Sequence, residues 1–351
     1  MSMELKKGEA TEEILRDYFL EQGYFVVRGI PYKYNQFDVT DVDLWLYSKP
    51  SILTRERTNV DIKRKKIPQA LERIFWTKGL QQVLGLEKCI VATTDTREDV
   101  REFGAKNNVI VLDGSFLNRL IHREPVFKER ISDEDLLLLL EQESAGKLGG
   151  DWRGKLLYSK SRLLNKLDFD SCNDFLKDIK YLMEEFIIRT YSSQGALRFL
   201  YITIAFFLIN VDYVVKDYIC LDNDLRTRNI INGFRYGQTG KAKVEDITNA
   251  AIRLASSVIA SSSLSTTLRN EINSQFKAIP AEILSDFFSK LPNIKSLVEN
   301  AKLFESLGYS KQAPYPSNLP VELQSIIGIL SDFLHIQRKE ILSAPTIDSS
   351  Q

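Results

Sequence analysis

At 351 residues the chain exceeds the roughly 100–200 residues of one domain, and its 44% hydrophobic and 27% charged residues suit a globular protein with apolar material for two cores. Lys and Arg number 47 and Asp and Glu 47; residues 1–125 hold 20 of the basic and 19 of the acidic, leaving 27 and 28, so neither part is a polycation and any grip on nucleic acid must come from a local patch. Three scattered cysteines (Cys89, Cys172, Cys220) and two histidines (His122, His335) exclude a C-x-x-C zinc site and a disulfide framework and leave little for histidine chemistry, so a metal here would be a hard cation held by carboxylates.

The N-terminus, with Glu4, Lys6, Lys7 and Glu9, has no apolar signal core. Residues 9–22 are predicted as a helix, with Ile14, Leu15, Tyr18 and Phe19 at helical spacing and Gly23 as a stop. Residues 24–28 are a short strand. Residues 39–47 alternate, which predicts Val42, Leu44 and Leu46 on one face and Asp41, Asp43, Trp45 and Tyr47 on the other; residues 59–63 repeat this, with Val60 and Ile62 opposite Asp61 and Lys63. A helix over 69–84, a strand over 89–93, a helix over 98–107, a strand over 109–112 and a helix over 115–121 complete an α/β unit, a mixed sheet flanked by helices, that ends near residue 125.

Ser132 precedes a leucine-rich helix as a cap, and Gly146, Gly149, Gly150 and Gly154 mark a linker, so residues 126–155 are expected to connect the two parts. Residues 156–341 carry helical periodicity and predict a mostly α-helical C-terminal domain, with a frayed tail over 342–351. The greasiest run, Phe199–Val211, is 13 residues long against the about 18 that suggest a membrane span, so a buried helix, no membrane partner and a cytoplasmic protein are expected.

Four residues carry the chemistry. Asp is depleted in strand interiors, yet Asp43 and Asp61 both sit in apolar-alternating strands. Asp61 and Lys63, two apart, emerge on one face, where a carboxylate can ligate a divalent ion and an ammonium can orient water. Asp43 from a neighbouring strand would complete a Mg²⁺ site, and such a site hydrolyses phosphodiesters. Glu12 lies at the edge of the first helix's apolar stripe, where a charge is usually avoided. The plainer alternative is that these side chains face solvent, with Asp61 and Lys63 merely paired.

The run from Lys7 to Lys66 resembles the archaeal Holliday-junction resolvases and the Mrr-type restriction endonucleases of the PD-(D/E)XK nuclease superfamily. The matching pieces are Lys7-Gly8, Glu12, Glu21-Gln22-Gly23-Tyr24-Phe25-Val26-Val27-Arg28, Val42-Asp43-Leu44 and Val60-Asp61-Ile62-Lys63. Farther on, Phe103-Gly104-Ala105 and Val109–Gly114 resemble the close of the Mrr-type domain, so coverage is about residues 6–122. The resemblance implies a restriction-endonuclease-like fold, Glu12, Asp43 and Asp61 as ligands of Mg²⁺ or Mn²⁺, and Lys63 as the catalytic lysine. It implies a DNA endonuclease of a restriction, defence or DNA-processing setting. Asp61 stands where Glu is commoner, and Ser48–Thr58 is longer than in the resolvases. Gln81 resembles the glutamine often found after the signature lysine.

Arg64, Lys65 and Lys66, with Arg55 and Arg57, are candidate phosphate contacts or an ordinary solvated edge. Trp76 is expected in a core, and His122 as a cap or surface residue. Arg226, Arg228, Arg235, Lys241 and Lys243 around Phe234 and Tyr236 suggest a solvated loop or, alternatively, a nucleic-acid contact, and residues 321–342 one helix whose wide apolar face is core or a dimer interface. Residues 1–125 are expected to fold alone, with the helical part supplying recognition, a homo-oligomer contact or restraint, or meeting a partner protein of a defence system. The alternative is a non-cleaving nucleic-acid-binding or assembly protein that keeps the nuclease fold.

Overall fold

The computed structural model describes residues 5–35, 37–65, 69–144, 150–165, 167–189, 193–258 and 262–342. The N-terminal part runs α1 (Lys7–Glu21), β1 (Phe25–Tyr34), β2 (Phe37–Ser48), β3 (Glu56–Lys63), α2 (Ala70–Leu84), β4 (Lys88–Thr93), α3 (Glu98–Lys106), β5 (Ile110–Leu112) and α4 (Gly114–Ile121). The five strands lie side by side in chain order. The first two pairings are antiparallel and the last two parallel, because α2 and α3 are crossovers that return the chain in the same direction. The expected mixed sheet flanked by helices is present.

Gly29 explains the main departure from simple alternation. It holds a positive φ of 60° between Arg28, paired with Leu44, and Ile30, paired with Val42. Val26 faces α1, whereas Phe25, Val27 and Ile30 all join the opposite cluster. On the partner strand Val42 joins Trp45 and Tyr47, not Leu44 and Leu46 as alternation predicts. The kink changes which side of the sheet each residue meets, and Asp43 sits at the changeover. β1 also continues six residues beyond the predicted end at Arg28, to Tyr34.

One sheet face packs Leu44, Leu46, Val60, Ile62, Ile90 and Ala92 against Leu15 and Phe19 of α1 and Leu117 and Leu120 of α4. On the other face, Cys89 and Val91 of β4 meet Ala70 and Ile74 of α2 and Val100 of α3. The β1–β2 half of that face is covered by the C-terminal helices.

These helices are α5 (Asp133–Ser144), α6 (Trp152–Arg162), α7 (Phe169–Ile188), α8 (Gln194–Val215), α9 (Asn223–Tyr236), α10 (Lys241–Val258), α11 (Ser262–Ala278), α12 (Ala281–Phe288), α13 (Leu291–Tyr309), α14 (Val321–Phe333) and α15 (Arg338–Leu342). Ser132 caps α5 as expected, accepting from the Asp135 amide at 3.0 Å. The expected linker is partly helix: α6 begins at Trp152, with Asp151 as its cap accepting from Gly154 N at 2.8 Å, while residues 145–149 lie outside the described residues. The predicted loop around Phe234 is α9 and α10, with Phe234 and Arg226 buried. The single helix expected over 321–342 is two, parted near His335, whose φ is +58°. The tail residues 343–351 lie outside the described residues.

α8 is the greasy run. All its residues but Gln194 and Tyr213 are buried, and although Gln194–Tyr218 is long and apolar enough to cross a membrane, 89% of its most apolar stretch is inside the molecule.

The boundary expected at residue 125 does not coincide with a break in the core. Phe25, Val27, Trp45 and Tyr47 of the sheet form one cluster with Trp152 and Leu156 of α6 and Phe206 of α8, and Phe25 meets Phe206 edge to face at 6.4 Å. Polar contacts cross it too. Asp212 of α8, fully buried, accepts from Tyr47 Oη at 2.8 Å, Lys49 Nζ at 2.8 Å and Arg55 Nη2 at 2.9 Å. Arg55 is therefore spent on α8 and is not a phosphate contact. Removing one partner of a buried pair typically costs about 3–5 kcal/mol because the other charge is left without compensation. Asp212→Ala should lose that much in urea unfolding, and a fragment of residues 1–125, its β1–β2 face uncovered, should give the poorly dispersed NMR spectrum of an unfolded or aggregating chain.

Candidate active site

β2 and β3 pair from Ser48–Glu56 to Leu44–Val60 and then part. At the parting, Asp43 Oδ2 accepts from the Ile62 amide at 2.6 Å, so a carboxylate takes the place of the next rung of the ladder. This satisfies an amide that would otherwise be left without a strand partner, and it accounts for an aspartate inside an apolar strand.

Asp61 lies on the α2 side of β3. Two residues before it, Asn59 donates to Thr77 O of α2 at 3.2 Å, and Asp61 accepts from Arg73 of the same helix, Nε to Oδ2 at 2.8 Å and Nη2 to Oδ1. Lys63 follows on the same face by alternation. Glu12 arrives from α1 on the other side, its Oε2 accepting from Arg28 Nε at 2.8 Å.

Asp43 is the electrostatic meeting point. Burial raises its pKa above the ordinary value, opposed by the Ile62 amide and by the charges of Lys63 and Arg73. Burial also raises the pKa of Glu12; Arg28 opposes this, and the charge of Asp43 adds to it. Glu12, Asp43, Lys63 and the Asp61–Arg73 pair thus share one neighbourhood.

Glu12, Asp43 and Asp61, expected to reach one divalent ion together, are not gathered as a single group of ligands. Among the described residues no group of three or more His, Cys, Asp or Glu side chains is gathered as a metal site, and Arg73 engages both oxygens of Asp61. The donor chemistry still suits a hard cation, because Glu12 and Asp43 are half-buried carboxylates, the charge of Asp43 adds to the cost of ionising Glu12, and a divalent ion would offset it.

The candidate nucleic-acid contacts divide. Lys65 is exposed, and Arg64 Nη1 reaches back to Thr11 Oγ1 of α1 at 3.2 Å. Lys66 lies outside the described residues. Gln81 is no substrate contact: it is buried, its Nε2 donates to Leu86 O and Glu87 O at 3.0 Å each, and its Oε1 accepts from Cys89 Sγ at 3.3 Å, closing the turn between α2 and β4. Arg57 is likewise spent on Glu87 and Gly85 O. Trp76, expected in a core, is 46% exposed beside Arg73. His122 is the C-cap of α4, as expected.

Arg73 is the functional candidate missing from the sequence reading. Its signal was positional: α2 buries Ala70, Ile74, Thr77 and Gln81, and Arg73, three residues after Ala70 and four before Thr77, borders that stripe.

No protein-family model, curated protein or solved structure matches the chain.

The site is anchored through α1. Arg28 donates to Glu13 at 2.8 Å and to both oxygens of Glu134 of α5, at 2.7 and 2.6 Å, besides Glu12. Lys160 of α6 donates to the Arg28 carbonyl at 2.8 Å and to Asp133 at 2.8 and 2.6 Å, and Tyr309 of α13 donates to Asp133 at 2.6 Å. Arg16 of α1 pairs with Glu305 of α13 at 2.8 Å, and Arg130 donates to the same carboxylate at 2.9 and 2.7 Å. Burial would push the Glu305 pKa up, but Arg130 and Arg16 outweigh it and hold it below the ordinary value. A depressed carboxylate contributes stability that is present above the unfolded-state pKa, about 4.3 for Glu, and is lost as pH falls through the folded value. Glu305→Gln should therefore melt below the parent at pH 7, and the gap should narrow as pH is lowered through and beneath that range; a constant gap in pH-dependent melts would contradict the assignment.

Proposed function

We propose that the chain is a metal-dependent deoxyribonuclease, an endonuclease hydrolysing phosphodiester bonds on a restriction-endonuclease-like fold. The observation that carries this reading is the parting of β2 and β3 at Asp43, which gathers Asp43, Lys63 and the Asp61–Arg73 pair around one gap with Glu12 behind it. Asp43 and Asp61, with Glu12 directly or through water, would hold Mg²⁺ or Mn²⁺. The ion when bound supplies Lewis-acid polarisation of the phosphoryl group and a lowered pKa for the attacking water.

The chain's own groups do the remaining work. The Lys63 ammonium, whose charge acts on Asp43, would orient the water and add positive charge near the oxygens of the pentavalent phosphorus. Arg28 fixes the rotamer of Glu12. Exposed Lys65 would touch the substrate backbone. With near-zero net charge the N-terminal part has little non-specific grip on a polyanion, so substrate recognition, oligomerisation or restraint would fall to the helices, in the restriction or defence setting that the Mrr-type resemblance implies.

A second reading is a non-cleaving nucleic-acid-binding or assembly protein of the same fold, and the Arg73 pairing that engages Asp61 favours it. Purified full-length protein, assayed on duplex, branched and single-stranded DNA and on RNA with and without Mg²⁺, separates the two. The nuclease reading expects Mg²⁺-dependent cleavage of DNA that falls by at least about 10²–10³-fold in Asp61→Ala and Lys63→Ala, the scale of losing one transition-state group, with both variants still folded. Full activity in either variant sinks the site; no cleavage of any substrate by the parent supports the second reading.

A further inference from the structure

Arg73 holds Asp61 with the geometry that a guanidinium uses on any planar pair of oxygens: two donors, Nε and Nη2, on two acceptors. The pair is largely shielded, with side-chain exposures of 23% for Arg73 and 11% for Asp61. Shielding makes the pairing worth more than a surface ion pair, because water screens it less. Arg73 also bears on Asp43 across the gap between β2 and β3. The Arg73 charge thus acts on both strand aspartates, directly paired with Asp61 and, after Lys63, on Asp43.

A carboxylate whose two oxygens each accept from a guanidinium has its strongest lone-pair directions taken, and a divalent ion close by would meet the repulsion of the Arg73 charge. The Trp76 ring lies next to the same guanidinium, 5.8 Å from its carbon, and is itself exposed. An arginine that leaves Asp61 can therefore stay on the outer surface of α2 with its charge over an aromatic face.

We propose that Arg73 is the resident counter-ion of Asp61 and that a divalent cation binds there only by displacing it, so that Arg73 sets the metal affinity of the site. This rests on the proposed metal-dependent reading. Two states of one side chain are involved: on Asp61 without the ion, and off it, toward Trp76, with the ion. Each state excludes the other, so the free energy of the Arg73–Asp61 pairing is subtracted from that of metal binding.

The test is calorimetric titration of the full-length protein with MnCl₂ alone, with no nucleic acid and no activity readout. Arg73→Gln should bind Mn²⁺ at least about tenfold more tightly than the parent, equivalent to about 1.4 kcal/mol. Arg73→Lys, which keeps a charge but has no planar fork, should fall between them. Asp61→Asn should weaken binding in either background. Melting curves of each variant without metal establish that it is folded; should Arg73→Gln fail that check, Arg73→Lys carries the comparison. Equal or weaker Mn²⁺ affinity in the folded Arg73 variants overturns the displacement alone. Absence of Mn²⁺ binding in the parent and in every Arg73 variant overturns the metal-site reading and the displacement with it.

Discussion

Arg28 is buried where α1, β1, α5 and α6 meet, and the arrangement around it follows from the need to neutralise its charge out of water. Placing an unpaired ion in such a position costs several kcal/mol, so three carboxylates, Glu12, Glu13 and Glu134, are drawn to one guanidinium from two helices. Burial alone would lower the pKa of Arg28, but the bond from Glu134 and the charges of Glu13 and Glu12 hold it far above the ordinary value. The backbone of the same residue takes Lys160, which brings Asp133 and Tyr309 with it. A single strand residue therefore aligns the helix that carries Glu12 with helices from the far end of the chain.

This arrangement changes how the two parts of the molecule are understood. The C-terminal helices are not attached by a tether alone; they cover one half of the sheet and complete its core. The site lies at the other end of that dependence. Glu12 is fixed by Arg28, Arg28 by Glu134, and α1 also by Glu305 of α13 through Arg16. A movement of the helical part that broke these bonds would reach Glu12 through direct contacts. The aspartates and Lys63 depend instead on the sheet, where β2 leaves β3 and Asp43 replaces a rung of the ladder.

Much of the N-terminal fold was legible because its elements are short, strongly periodic and punctuated by Gly23 and Asp113-Gly114. α1, β3, α2, β4, α3, β5 and α4 all fall within a few residues of their expected positions. The side of the sheet on which Val42 lies was not legible, because it depends on a positive φ at Gly29 across the ladder, and strand periodicity assumes an unbroken pleat. Asp43 and Asp61 stood out as charges in apolar strands, and each meets a specific partner, the Ile62 amide for Asp43 and Arg73 for Asp61. What the sequence could not show was which cation each would meet. Arg73 is twelve residues from Asp61, Arg55 is 157 from Asp212 and Arg16 is 289 from Glu305. Pairings at such separations are set by packing, so a basic run near a signature strand reads as a substrate surface when two of its arginines are internal ties.

A cation held by Asp43 and Asp61 at the parting of β2 and β3 is what the proposed nuclease chemistry requires. The most direct measurement is a crystal structure of the full-length protein grown with MnCl₂, with data collected to locate manganese by its anomalous scattering. One strong anomalous peak is expected between the two aspartates, with Asp61 no longer paired with Arg73. An ordered structure from such crystals in which the peak is absent and Asp61 remains bound to Arg73 would contradict it.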